Sequence, residues 1–171
     1  MNIRKEEKKD YATIYAVVKS AFDSAEHSDG NEQDLVTALR KSENYIPELS
    51  LVAEEDGKIV GHIMFTKAKI GKDDVLALAP LSVLPEYQRK GIGTALIEKG
   101  HSIAKKLGYG YSVVLGSETY YPRTGYVTAD TFSILPPFDV PRENFMACKL
   151  NQNAPDVKGV MVYAKEFGIP Y

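Results

Sequence analysis

The sequence predicts a single α/β domain over residues 1–171, with helices on both faces of a mixed, mostly antiparallel sheet. In this sheet the fourth and fifth strands form a parallel pair that splays apart. Three observations predict this fold: helical apolar spacing in the first 40 residues, β-type runs joined by short polar turns from residue 51, and a strand, helix, strand order from residue 75. A chain of 171 residues with 44% hydrophobic content can bury a core without disulfide or metal support.

The composition sets the kind of ligand and the compartment that we expect. The chain has 21 basic and 23 acidic residues, which are interspersed, so no overall field attracts nucleic acid or an anionic membrane. An anionic ligand must therefore be held locally. No segment resembles a secretory signal or could span a bilayer, which predicts a soluble cytoplasmic protein. Cys148 lies in an apolar stretch, where a small buried hydrophobe is the favoured role over a nucleophile.

The N-terminal segment reads as a short strand at residues 2–5 followed by two helices. Apolar residues of the first helix recur at the spacing of one face: Tyr11, Ile14, Tyr15, Val18 and Phe22. After a break at residues 26–31, Asn31 is a candidate N-cap for a second, shorter helix. Its inner face is predicted to carry Leu35, Val36 and Leu39. Residues 41–48 are predicted to form the loop that closes this helix.

The middle of the chain contains three predicted strands. Residues 51–70 hold two of them, joined by Asp56 and Gly57, a pair that suits a tight antiparallel hairpin. A polar turn at residues 71–74 leads to the fourth strand at residues 75–84, which is apolar on both faces and so is predicted to be central. Pro80 cannot donate a ladder hydrogen bond, so we expect a bulge or a parting of strands near residues 79–82.

A third helix and a fifth strand complete a βαβ unit. The helix is predicted to begin at Gly91, to end with Lys105 and Lys106 in its last turn, and to stop at Gly108. Its predicted inner face consists of Ile92, Leu96, Ile103 and Leu107. Residues 111–115 then form a buried strand, which must be parallel to the fourth. Two more β-type runs, at residues 144–150 and 159–167, close the chain.

The start of the third helix has the features of an anion site. The stretch QRKGIG, residues 88–93, lies where unpaired helical N–H groups and the helix dipole favour negative charge. Gly91 and Gly93 let the backbone approach a phosphate closely. Thr94 adds a hydroxyl, and Arg89 and Lys90 add charge. Alone, such a segment is more often a turn with solvated cations, but its place between parallel strands favours a ligand.

Two phosphate-binding motifs do not fit this segment. A dinucleotide fingerprint, as in a nicotinamide-dependent oxidoreductase, needs a third small residue where the chain has Leu96. A P-loop needs Gly-Lys-Ser/Thr at its end, and that sequence does not occur here.

The stretch LSVLPEYQRKGIGTALI, residues 81–97, resembles the signature of the GNAT superfamily of acetyl-CoA-dependent N-acetyltransferases. The matching positions are Val83, Pro85, Tyr87, Gln88, Gly91 and Gly93. The order of elements is similar over nearly the whole chain, although only residues 81–97 and 115–126 are specific. The segment YYPR, residues 120–123, before a glycine-aromatic pair is similar to one subgroup of that family.

The resemblance implies the GNAT fold and transfer of an acetyl group from acetyl-CoA to a primary amine of a small molecule or peptide, by direct attack in a ternary complex. It implies that the fourth strand holds the pantetheine arm through Leu81 and Val83, and that Tyr121 is the catalytic acid. The residues that it assigns to the phosphates are Gln88, Arg89, Lys90, Gly91, Gly93 and Thr94. A backbone N–H near Val83 is the expected oxyanion donor.

Several points stay open at the level of sequence. The base candidates Glu54, Glu55 and Glu118 are more typical of solvated carboxylates, His62 is more typical of a packed strand residue, and no metal site is indicated. Pro122 disfavours helical geometry at Tyr121. A non-catalytic acyl-CoA-binding module and an acyltransferase for longer chains are the alternatives. The expected partners are acetyl-CoA and an amine, a homodimer is a candidate assembly, and the sequence does not identify the acceptor.

Overall fold

A computed structural model describes residues 1–23 and 29–171, and it is organised around one sheet. The strands of the described residues are β1 Asn2–Lys5, β2 Tyr45–Glu55, β3 Lys58–Ile70, β4 Asp73–Val83, β5 Tyr111–Leu115, β6 Val127–Thr128, β7 Ile134–Leu135, β8 Phe145–Lys149 and β9 Gly159–Val162. The α-helices are α1 Tyr11–Asp23, α2 Glu32–Arg40 and α3 Ile92–Lys106. The break predicted at residues 26–31 falls partly on residues 26–28, which lie outside the described part of the chain.

The sheet is mixed, as predicted, and mostly antiparallel. Its main path runs β1-β2-β3-β4-β5-β8-β6, and β9 joins it by pairing with β3 and β7. The pair β4 and β5 is parallel, and α3 connects these two strands, so the βαβ unit is confirmed. A second parallel pair, β7 and β9, was not predicted. The strands β6 and β7 have two residues each, which is too short for an alternating pattern to show.

Strand β4 is irregular at Pro80, and this irregularity opens the sheet. Ile63 of β3 pairs with Leu81, whereas Phe65 pairs with Leu78, so two residues of β4, at 79 and 80, lie opposite the single residue 64 of β3. This shift confirms the bulge predicted from Pro80. On the other side, β4 pairs with β5 only as far as Ala77. Beyond that residue the two parallel strands part, as the sequence predicted.

Strand β2 begins earlier than predicted. The structure starts it at Tyr45 instead of Leu51, so the prediction of a loop over residues 41–48 was wrong from Tyr45 onward. Ile46 and Leu49 are buried in the core. Pro47 makes this stretch look unlike a strand, because proline cannot donate a ladder hydrogen bond. The strand accommodates it in the irregular stretch between the paired residues Tyr45 and Ser50, where the ladder is interrupted.

The helices carry slightly different inner faces than predicted. In α1, Ile14, Val17 and Val18 are buried, while Tyr15 is 40% exposed. Leu107 is 45% exposed because α3 ends at Lys106. Asn31 does precede α2, although its side chain makes no capping hydrogen bond. None of the helices in residues 1–23 and 29–171 has the length and apolar character that a membrane span requires.

A buried cluster of polar side chains connects the N-terminus to the sheet. The Glu6 carboxylate accepts hydrogen bonds from Arg40 Nε at 2.9 Å and from the Tyr45 hydroxyl at 2.6 Å. His62 is fully buried, and its Nε2 lies 3.2 Å from Glu6 Oε1 and 3.0 Å from Ser50 Oγ. The prediction that His62 is a packed residue is therefore confirmed, and its Nε2 has hydrogen-bond partners. Its Nδ1 has no hydrogen-bond partner among the described residues.

Candidate active site

A cavity of about 660 Å³ lies where β4 parts from β5, next to the start of α3. It combines the end of β4, the loop that follows it, the first turn of α3 and the segment at residues 119–123. Its lining residues are Leu81, Val83, Tyr87, Gln88, Arg89, Gly91, Ile92, Gly93, Thr94, Thr119, Tyr120 and Arg123. We call it the first cavity. It contains seven of the eight residues that the sequence assigned to the cofactor, and Lys90 is the one outside its lining.

The loop before α3 exposes the backbone of a helix start. Arg89 and Gly91 have positive φ angles of 63° and 85°, a conformation that glycine adopts easily and arginine does not. The N–H of Ala95 donates to the carbonyl of Gly91 at 3.0 Å, which places three helical amides, those of residues 92–94, before the first intrahelical donor. The Gln88 side chain donates from Nε2 to the Val83 carbonyl at 3.0 Å and so ties the loop to β4.

Gly93 allows the close contact between α3 and the segment at residues 119–123. A Cβ atom at this position would collide with the Tyr120 hydroxyl oxygen. The same hydroxyl lies 3.4 Å from Thr94 Oγ1. Glycine is therefore required here by packing as well as by access to the backbone.

The first cavity is positively charged. Arg89 and Arg123 contribute full charges to its lining, and the α3 N-terminus adds its partial charge. The Arg123 guanidinium lies 5.9 Å from the centroid of the Tyr120 ring. Lys90 instead lies over the ring of Tyr87, 5.5 Å from its centroid. This arrangement suits a ligand with several negative charges and an extended uncharged part beside β4.

A second cavity, of about 560 Å³, lies against the same strand ends but is walled by α1 and α2. Its lining residues are Phe22, Glu32, Leu35, Leu78, Ala79, Pro80, Leu81, Val114, Leu115, Gly116, Ser117, Tyr120 and Tyr121. It shares Leu81 and Tyr120 with the first cavity. These two side chains therefore form the boundary at which the two cavities meet.

Tyr121 lines the second cavity, whereas its neighbour Tyr120 lines both. The Tyr121 ring packs on Gly116, where a Cβ atom would overlap it, and makes edge contacts with Tyr120 at 5.1 Å and Tyr126 at 5.7 Å between centroids. Burial raises the pKa of the Tyr121 hydroxyl above its ordinary value, so the phenol keeps its proton at neutral pH. Residues 121–124 form a short 3-10 helix that begins at Tyr121, so the expectation that Pro122 disfavours helical geometry there was wrong.

Tyr126 fixes the segment that carries both tyrosines. Its buried hydroxyl is 2.6 Å from Ser112 Oγ on β5 and 3.0 Å from His101 Nε2 on α3. Burial lowers the pKa of His101 to about 4, which keeps its imidazole neutral. This anchor depends on contacts between distant parts of the chain, so local sequence patterns do not indicate the roles of His101, Arg123 and Tyr120. Only the crowding of tyrosines gave a signal.

The base candidates from the sequence lie outside both cavities. Glu54 forms an ion pair with Arg4, Glu55 lies 3.8 Å from the N-terminal amine, and Glu118 accepts a hydrogen bond from Asn144 at 2.7 Å. His62 is enclosed by the Glu6 cluster described above. Cys148 is half-buried, and burial raises the pKa of its thiol, which suits a packed side chain better than a thiolate. Within residues 1–23 and 29–171, no group of His, Cys, Asp and Glu could hold a metal ion.

The chain matches a known family over most of its length. The model of the acetyltransferase (GNAT) family matches residues 12–126. Among curated proteins, the uncharacterized N-acetyltransferase YjhQ of Escherichia coli strain K12 is 39% identical over 152 residues, which cover 86% of this chain and 81% of YjhQ.

Two solved structures are similar over nearly the whole chain. A GNAT family acetyltransferase from Brucella melitensis in complex with acetyl-CoA has 34% identity and a TM-score of 0.81, covering 97% of both chains. The GNAT family N-acetyltransferase YhbS from Escherichia coli in complex with CoA has 27% identity and a TM-score of 0.88, covering 98% of this chain and 91% of YhbS. The structure from Brucella melitensis contains acetyl-CoA and that of YhbS contains CoA, so both relatives bind a ligand with which the first cavity can be compared.

Proposed function

Since this chain belongs to the GNAT acetyltransferase family and is an acyltransferase, we propose that it transfers an acetyl group from acetyl-CoA to a primary amine of a small molecule or peptide. One observation carries this proposal: two cavities meet at Leu81 and Tyr120, where the parallel strands part. The first has the charge and backbone donors for a phosphate-bearing donor. The second offers a separate approach for the acceptor.

We assign the donor to the first cavity. The amides at the α3 N-terminus, together with Arg89 and Thr94, would bind the pyrophosphate of acetyl-CoA. Lys90 would contribute from the rim, because it stacks on Tyr87 instead of lining the cavity. The pantetheine arm would then follow Leu81 and Val83 along the edge of β4 that β5 leaves unpaired beyond Ala77. Acetyl-CoA and CoA in the two similar structures support this assignment.

The thioester would lie at the boundary between the cavities. The neutral amine attacks the thioester carbonyl carbon, and a backbone N–H near Val83 stabilises the oxyanion. Collapse of the tetrahedral intermediate breaks the carbon–sulfur bond and releases CoA thiolate, while the nitrogen loses a proton to water and becomes the amide. Tyr121 donates a hydrogen bond to this departing sulfur, for which its retained proton suits it. Cys148 lines neither cavity, which favours direct attack in a ternary complex over an acyl-enzyme.

We assign the proton of the incoming ammonium group to solvent. The four base candidates Glu54, Glu55, Glu118 and His62 do not line either cavity. Leu115 lines the second cavity and is 47% exposed, so we infer a solvent-facing mouth beside it. Water at this mouth can take the proton before the amine attacks.

The direct test combines cofactor binding with turnover. We expect acetyl-CoA to raise the melting temperature of the protein, and we expect amine-dependent release of free CoA thiol. A thermal shift without thiol release from any amine would identify a non-catalytic acyl-CoA-binding module instead. Faster turnover with a longer acyl-CoA would identify a different donor. The absence of any shift with acetyl-CoA would remove the proposed function.

Gly93→Ala is expected to weaken acetyl-CoA binding by about tenfold or more in Kd, because the bound cofactor must fit against a displaced Tyr120 ring and overpacking of this kind costs about 1–3 kcal/mol. The added methyl group collides with the Tyr120 hydroxyl and pushes this ring toward the first cavity. Titration calorimetry with acetyl-CoA measures the change. The double variant Gly93→Ala, Tyr120→Phe removes the colliding oxygen and is expected to recover the affinity of the single variant Tyr120→Phe. No recovery in the double variant would contradict the steric explanation.

A further inference from the structure

The arginines of the described residues fall into two groups. Arg4, Arg40 and Arg142 each form an ion pair with a carboxylate of this chain. Arg89 and Arg123 form no ion pair with any of the described residues, and both line the first cavity. No aspartate or glutamate is among the described residues that line this cavity. These two guanidinium groups are therefore free to bind anionic groups of a ligand.

The two arginines reach the first cavity from different parts of the chain. Arg89 belongs to the loop between β4 and α3, whereas Arg123 follows β5 and belongs to the 3-10 helix Tyr121–Thr124. The helical amides at the start of α3 come from the same stretch of chain as Arg89. A donor phosphate that also contacts Arg123 would therefore connect this stretch to the segment at residues 119–123.

Arg123 is closely connected to Tyr121, because both belong to one 3-10 helix. The Arg123 N–H donates to the Tyr120 carbonyl at 3.3 Å, and the Thr124 hydroxyl donates to the Tyr121 carbonyl at 2.9 Å. The Arg123 guanidinium lies 5.9 Å from the centroid of the Tyr120 ring, which in turn makes an edge contact with the Tyr121 ring. A contact that fixes the guanidinium therefore also restrains Tyr121.

The Tyr121 hydroxyl itself makes no hydrogen bond with the described residues. Packing on Gly116, Tyr120 and Tyr126 holds the ring. Packing alone allows small shifts of the hydroxyl, whereas a hydrogen bond to a departing group requires a narrow range of distance and angle. The alignment of this hydroxyl therefore depends on how firmly its segment is held.

On the basis of the proposed acetyl transfer, we propose that Arg123 is a positioning residue: it binds a phosphate of the donor and so holds residues 119–123 where the Tyr121 hydroxyl reaches the departing sulfur. A guanidinium can donate two parallel hydrogen bonds to a phosphate, which fixes its direction as well as its distance. The phosphates of acetyl-CoA are remote from the thioester, so their binding energy contributes to catalysis by aligning this hydroxyl. A donor without phosphates loses the alignment as well as affinity.

A donor without phosphates tests the proposal. S-Acetylpantetheine has the thioester and the pantetheine arm of acetyl-CoA but no phosphate. Phenethylamine, spermidine, kanamycin and an alanine-rich peptide are screened as acceptors, and the fastest is used with both donors at saturation. We expect the wild-type kcat to be about tenfold or more higher with acetyl-CoA than with S-acetylpantetheine. In Arg123→Gln, kcat with acetyl-CoA is expected to fall by the same factor, so that the ratio between the two donors approaches one.

Two further variants separate positioning from other roles. Lys99→Gln removes a positive charge from an exposed site on α3 that lines neither cavity, and we expect it to keep the wild-type donor ratio. Adding Arg123→Gln to Tyr121→Phe is expected to change kcat by less than about twofold, because the arginine acts on kcat through this tyrosine. Additive losses of kcat in the double variant would overturn the inference.

The outcomes separate this inference from the proposed function. An equal loss of kcat with both donors in Arg123→Gln would indicate a structural role, and a raised KM for acetyl-CoA with unchanged kcat would indicate binding alone. Either result, or a wild-type donor ratio near one, overturns the inference and leaves acetyl transfer intact. If no acceptor in the panel gives thiol release with acetyl-CoA, both fail. A donor ratio that Arg123→Gln removes and Lys99→Gln preserves supports both.

Discussion

Replacing Tyr121 with phenylalanine is expected to lower kcat by about 10²–10⁴-fold, the range typical of losing a positioned proton donor. The ring contacts on Gly116, Tyr120 and Tyr126 remain, so fold and cofactor affinity are expected to be preserved. Only the hydroxyl that we assign to the departing CoA sulfur is lost. Steady-state kinetics with saturating acetyl-CoA and an accepted amine measures the change.

Tyr120→Phe is the control for Tyr121→Phe. Its hydroxyl lies 3.4 Å from Thr94 Oγ1, at the donor side of the boundary, so its loss is expected to affect KM for acetyl-CoA more than kcat. A wild-type kcat in Tyr121→Phe, together with a large loss in Tyr120→Phe, would show that the roles of the two neighbours are exchanged. A wild-type kcat in both would remove tyrosine from the mechanism.

Glu6→Gln is expected to lower the free energy of unfolding by about 3–5 kcal/mol, the usual cost of breaking a buried ion pair by removing one partner. The change leaves Arg40, whose side chain is only 9% exposed, without its counter-charge. Urea unfolding measures the loss. Glu98→Gln is the matched control, because Glu98 is exposed on α3, and we expect a change within about 0.5 kcal/mol there.

The contribution of Glu6 to stability depends on pH. Burial alone raises the pKa of Glu6, but hydrogen bonds from His62, Arg40 and Tyr45 outweigh burial and hold the pKa below its ordinary value. A carboxyl whose pKa is lowered in the folded protein stabilises the fold fully above its unfolded pKa of about 4.3. This stabilisation is lost as the pH falls from there through the lower pKa of the folded state. Wild-type protein is therefore expected to lose stability below about pH 4.3 more steeply than Glu6→Gln. If the stability of both proteins fell equally with pH in this range, the proposed stabilisation of ionised Glu6 by its hydrogen bonds would be contradicted.

Local patterns in the sequence were sufficient to predict the wall of the first cavity that β4, the following loop and α3 provide. Pro80 lacks an N–H, and this local property predicted the bulge in β4. Gly91 and Gly93 predicted an exposed helix start because their effect on the backbone is also local. The seven predicted residues that line the first cavity all belong to this continuous stretch of β4, loop and α3.

The local sequence pattern could not predict which cavity each of the two neighbouring tyrosines lines. Tyr120 and Tyr121 are adjacent in a turn-rich segment, and their directions depend on contacts with Gly93 on α3 and Gly116 after β5. These contacts form only when the βαβ unit is assembled. The same limit applies to Glu6 and His62, which are 56 residues apart in the chain and meet through the pairing of β1, β2 and β3.

The shared boundary at Leu81 and Tyr120 limits the length of the acyl chain that the enzyme can use. An acyl chain longer than acetyl, bound through the proposed phosphate site, would extend past this boundary into the second cavity, which we assign to the amine. Such a donor analogue is expected to inhibit competitively against the amine as well as against acetyl-CoA, whereas CoA itself competes with acetyl-CoA alone. The volume of the second cavity would then set the longest acyl chain that the enzyme accepts. Replacing Leu81 with phenylalanine would reduce that length.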